Sequence, residues 1–177
     1  GKLTQMPNAK IETSASSAIE LNSATAQWEM AGDLIVQSSD TLTIASRTAG
    51  NMVSWIWKGN SVYTSIHDNG LLLLKSDHGG FAEVQIQDQG GHLITGDGKS
   101  TWQNVVFVLG QDANWVIQSK THFESCHILG TGSNAFMQIT NRLNWQSGTI
   151  ENCLFSASNA GIAAIRLTDV TPNQSED

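Results

Sequence analysis

The chain has 177 residues, a net charge of −7 and only 14% charged residues, while Ser, Thr, Asn and Gln fill a third of it. Its nine Lys and Arg are scattered singly, so no basic patch exists to neutralise phosphates, and nucleic-acid binding is not expected. The longest purely apolar run is Val105 to Leu109, far below the ~18 residues of a membrane helix, so membrane insertion is not expected either.

Six Trp and regular Val, Ile and Leu give the chain enough to bury, which argues against disorder. Residues 1–50 begin rich in Ala, Ser and Thr, with isolated apolar residues at Ile11, Ile19, Leu21 and Trp28. Neither the helical nor the strand period wins there, and the segment reads as an extended lead-in or stalk. Alternation becomes clearer at Leu34, Val36, Leu42 and Ile44. The chain starts at Gly1 rather than Met, so a piece trimmed from a longer protein is expected.

Residues 51–95 read as a meander of short strands: Val53 to Lys58, Ser61 to Ile66, Leu71 to Lys75, Phe81 to Gln87 and His92 to Thr95. Between them stand Gly59-Asn60, His67-Asp68-Asn69-Gly70, Asp77-His78-Gly79-Gly80 and Asp88-Gln89-Gly90-Gly91. Gly beside Asn or Asp is hairpin punctuation, so antiparallel pairing is the expectation. No helix longer than a turn or two is predicted.

Residues 96–177 carry an internal repeat. Trp102-Gln103-Asn104-Val105-Val106-Phe107, Phe123-Glu124-Ser125-Cys126-His127-Ile128 and Ile150-Glu151-Asn152-Cys153-Leu154-Phe155 match position by position, 21 and 27 residues apart. Such periods mean stacked coils. The apolar residues fall at positions one, four and six, whereas a plain strand would place them at one, three and five. The extra step lies at Asn104, Ser125 and Asn152, residue types that tolerate the left-handed conformation and bend a strand sharply. Each unit therefore reads as strand, one-residue bend, strand. Stacking puts Trp102 over Phe123 over Ile150, Val105 over Cys126 over Cys153, and Phe107 over Ile128 over Phe155. A weaker ladder follows, in Trp115-Val116-Ile117, Ala135-Phe136-Met137 and Ile162-Ala163-Ala164-Ile165. Trp115 is aligned with Phe136 and read as core. The expected fold is all-β: a short-strand meander followed by a right-handed parallel β-helix. Cys126 and Cys153 are expected inside it as two buried thiols rather than a disulfide, because in-register side chains point in parallel.

Two apparent motifs carry no chemistry. Gly96-Asp97-Gly98-Lys99-Ser100-Thr101 resembles a phosphate loop, but Leu93 stands where the leading Gly is needed, and strand rather than helix follows. A turn into the first coil is the reading. His67, His78, His92, His122 and His127 have no zinc spacing, so neither metal nor cofactor is expected.

The repeat resembles the coils of right-handed β-helix proteins such as pectate lyases and phage tailspikes. Ser54-Trp55-Ile56-Trp57 followed by Asp68-Asn69-Gly70-Leu71-Leu72-Leu73-Leu74 resembles phage tail-fibre modules. The resemblance implies a virion protein, a homotrimer that recognises cell-surface polysaccharide. Two alternatives stay open: a polysaccharide depolymerase on the same fold, and a bacterial surface adhesin. For recognition the candidates are Trp145, Asn144 and Arg142, a flat aromatic beside an amide and a guanidinium that suits a sugar's C–H face and hydroxyls. For catalysis they are Glu124 and Glu151, both at position two. Coils ~4.8 Å apart would hold their carboxylates near the ~5–5.5 Å of a retaining glycosidase.

Overall fold

The computed structural model describes residues 2–21, 27–46, 54–58, 62–76, 82–131, 135–139, 149–151, 154–157 and 165–167. These residues form three parallel sheets wound as a β-solenoid, with no helix among them. The first sheet stacks Lys2–Gln5, Gln27–Met30, Ser54–Trp57, Ala82–Ile86, Val105–Leu109, His127–Gly130 and Leu154–Ala157. The second stacks Lys10–Glu12, Asp33–Val36, Val62–Ile66, Gly91–Thr95, Asn114–Ile117, Phe136–Ile139 and Ile165–Leu167. The third stacks Ser17–Leu21, Thr41–Ser46, Leu71–Ser76, Lys99–Gln103, Lys120–Glu124 and Thr149–Glu151. The chain visits the sheets in rotation, so each strand pairs with the strand one coil away and never with its neighbour in sequence.

The repeat sets this register. Trp102 pairs with Phe123 and Phe123 with Ile150, while Phe107 pairs with Ile128 and Ile128 with Phe155. The bends at Asn104 and Ser125 are left-handed, with φ of 54° and 52°. Cys126 is buried, its Sγ 3.2 Å from the carbonyl oxygen of Trp102. Asn152 and Cys153 lie outside the described residues.

Three expectations need correction. The strands of residues 54–95 exist at nearly their expected bounds, but they form no hairpins: Ser54–Trp57 pairs in parallel with Gln27–Met30 and Ala82–Ile86. The turn residues dictate only that the chain bends. Here they make corners between sheets, with left-handed Asn8, Gln89 and Asp112 at one edge and Ser39, Asn69 and Gly96 at another. Corner amides also bond from coil to coil, Leu71 N donating to Asp40 O and Lys99 N to Gly70 O, both at 2.9 Å. The second correction concerns residues 1–50, whose strands enter the same three sheets. Trp28, Leu34 and Ile44 there are fully buried, and Ile11 and Ile19 pack against the core. The third concerns the weaker ladder. Trp115 pairs with Met137 and Met137 with Ile165, and Phe136 turns outward beside Asn114. Trp115 is nonetheless core, at 0% exposure.

The core is a set of inward ladders. Parallel in-register rungs are ~4.8 Å apart, and the Trp28 and Trp55 rings, paired across one rung, stack at 4.9 Å with 5° between planes. Trp57 meets Trp55 edge to face at 5.0 Å and 89°, the arrangement that ring quadrupoles favour. Phe107 lies on Trp115 at 4.4 Å. Trp102 Nε1 donates to Ser100 Oγ at 3.1 Å, and Ser100 Oγ meets Thr121 Oγ1 at 2.8 Å on the next rung. The indole N–H groups of Trp28, Trp55, Trp57 and Trp115 have no hydrogen-bond partner among the described residues, a cost that the burial of the large rings must outweigh.

Candidate functional site

Strand alternation that sends Leu74, Trp102 and Phe123 inward sends their neighbours outward, and the parallel register lines these up in columns along the solenoid. On the third sheet one column runs Lys75, Gln103, Glu124, Glu151. A second runs Leu73, Thr101, His122, Thr149, and Lys99 and Lys120 pair in a third.

The middle of this wall is hydrogen-bonded. Gln103 Nε2 donates to Glu124 Oε2 at 2.7 Å, and His122 Nε2 lies 3.9 Å from the same oxygen. The Glu124 side chain keeps 44% of its surface exposed and His122 20%. The carboxylate is therefore held by the Gln103 amide while still facing water. It can accept hydrogen bonds from ligand hydroxyls, and the neighbouring amide and Thr101 can donate. The Lys75, Lys99 and Lys120 ammonium groups give this wall a mixed rather than uniformly acidic charge.

The structure brings Glu124 and Glu151 to paired positions on adjacent coils, as the repeat requires. Only the backbone of Glu151 is described. Trp145, Asn144 and Arg142 lie outside the described residues. Among the described residues no group of three or more His, Cys, Asp or Glu is placed to hold a metal ion.

One buried group escaped the reading of the sequence. His92 faces inward between Val62 and Trp115, 2% exposed. It lies on Trp57 at 3.6 Å and 22°, and its Nε2 is 3.0 Å from Thr64 Oγ1. Burial pushes its pKa well below the ordinary value. The signal was there in His92-Leu93-Ile94: once Ile94 is placed inside, alternation sends His92 in with it.

No family model matches the chain, and neither a curated protein nor a solved structure matches it.

Proposed function

We propose that this chain is part of a phage tail fibre or tailspike: a structural, receptor-binding virion protein that assembles as a homotrimer and holds cell-surface polysaccharide without cleaving it. The observation that carries the reading is the wall on the third sheet, where Gln103 is bonded to Glu124 and stands beside Thr101 and His122 in columns repeated coil by coil. A rigid row of amides, hydroxyls and a tied carboxylate suits the hydroxyls of a repeating polymer. Low charge fits hydroxyl recognition better than proton transfer. Linked copies then raise avidity by ~10²–10⁴ without strong binding at any one site.

The trimer is supported by the outer face of the first sheet. Ile56, Val108 and Leu129 stand in one column there with Gln85 among them, and Val106 stands in the next between Glu83 and His127, a mixed apolar and polar face that a second copy could cover.

A depolymerase is the second reading, favoured by one observation: the paired positions of Glu124 and Glu151. In that case one residue would be the acid and the other the nucleophile. A glycan array run beside a reducing-sugar assay separates the two. Binding with no new reducing ends supports recognition, and release of reducing ends supports the enzyme.

A further inference from the structure

We propose that the outer face of the second sheet carries a subsite for an uncharged saccharide segment, centred on Tyr63. This rests on the carbohydrate-binding reading and gives it a place and a ligand class. An open groove of about 270 Å³ runs over this face. Its floor is one column, Tyr63, Leu93 and Val116, paired rung to rung. Tyr63 is 45% exposed, one of the few large apolar side chains in the described residues left so open to water.

The polar groups flank one end of that floor. Asn114 and Gln118 occupy alternate positions on either side of Val116, so both amides stand on the outer face. The side chains of Tyr63, Asn114 and Gln118 have no hydrogen-bond partner among the described residues. On the rung beside Asn114 stands Gly91, which adds no side chain and leaves the groove open there.

This is the composition of a small-ligand site: an apolar floor, one aromatic face and a few convergent polar groups. A pyranose offers the matching surfaces, with C–H bonds for the ring face and hydroxyls for the amides. No charged side chain lines the groove, and the chain carries a net charge of −7, so an acidic polymer is disfavoured. The volume falls just below the ~300 Å³ of drug-sized pockets, which suits one or two sugar rings of a longer chain. Tyr63 also borders a wider recess of about 660 Å³ that reaches Asp33 and Lys58. A polymer can leave the groove across the tyrosine ring, so the subsite accepts an internal segment as well as an end.

The test titrates the full chain with neutral oligosaccharides cut from dextran, mannan and galactan, with alginate oligosaccharides as the acidic comparison. Binding is followed by calorimetry and by ligand-observed NMR. At least one neutral series binds, and alginate stays at background. Tyr63→Ala lowers the affinity about tenfold, as expected for loss of an aromatic face, and Tyr63→Trp keeps it. Asn114→Ala combined with Gln118→Ala also weakens binding, with the circular dichroism of the sheets unchanged in every variant. Neutral-sugar binding that survives Tyr63→Ala overturns the subsite and leaves the carbohydrate reading standing. Preference for alginate overturns the ligand class. Failure of every oligosaccharide to bind overturns both the subsite and the reading it rests on.

Discussion

His92 makes the stability of this solenoid depend on pH in a direction the structure fixes. The imidazole is enclosed by Trp57, Val62 and Trp115, and its one polar partner among the described residues is Thr64. Of the strands packed against its own, Val62–Ile66 and Asn114–Ile117 present no titratable side chain to the interior; Tyr63 points outward. The other buried polar residues, among them Gln5, Ser100 and Thr121, are uncharged. No described residue nearby can compensate an imidazolium, and burial holds the folded-state pKa well below ~6.5, the value of an unfolded histidine. Below pH ~6.5 the unfolded chain takes up a proton that the folded chain refuses. The contribution is fully present above that pH and is lost as pH falls towards the folded value. At 1.36 kcal/mol per pH unit below the unfolded value, going from pH 7 to pH 5 removes at most about 2 kcal/mol. The comparison protein is His92→Leu with Thr64→Val, which replaces both partners by apolar groups and strands neither. It retains the other four histidines, so a difference between the two proteins belongs to His92. Urea unfolding followed by Trp fluorescence at pH 7 and pH 5 should show the wild type losing more stability than the double variant, by up to about 2 kcal/mol. Equal losses in the two proteins would refute the reasoning.

Other consequences follow from the corners and the faces. Gly96 has φ of 104°, and a Cβ there would meet the Ile66 carbonyl oxygen at 2.1 Å, so Gly96→Ala should cost about 3 kcal/mol in the same unfolding assay. Asn104 is left-handed, so Asn104→Val should cost ~2 kcal/mol and Asn104→Gly less than ~1, a difference in thermal midpoint that calorimetry can read. Light scattering at micromolar protein should give the mass of a trimer, and a stable monomer of 19.1 kDa would contradict the assembly.

What the sequence made legible depended on corner length. In Trp102 to Phe107 and Phe123 to Ile128 the bend from the third sheet to the first takes one or two residues, so both strands and the bend fall in one short, repeating string. In the preceding coils the corresponding connections are longer: seven residues stand between Ser46 and Ser54, and five between Ser76 and Ala82. Those insertions break the spacing, although Trp28, Trp55 and Val84 occupy the same ladder as Phe107. Pairing in residues 54–95 was illegible for another reason. The Asn69-Gly70 corner shares with an Asn-Gly hairpin only the left-handed Asn, since Gly70 lacks the positive φ that a type I′ turn requires, and the dipeptide alone does not tell the two apart: the partners lie more than twenty residues away. The Glu124–Glu151 pairing followed from the repeat. Tyr63 did not stand out, because its exposure depends on Leu93 and Val116 forming the neighbouring rungs.

The central claim is that the solenoid holds polysaccharide and leaves it whole, and the size distribution of the polymer tests it most directly. Host-surface polysaccharide retained by the protein is incubated with the wild type, Glu124→Gln and Glu151→Gln and then sized by gel filtration. The account predicts that its elution is the same with all three proteins as with none. Shortening by the wild type that either substitution abolishes would contradict it, and would make the Glu124–Glu151 pair an active site.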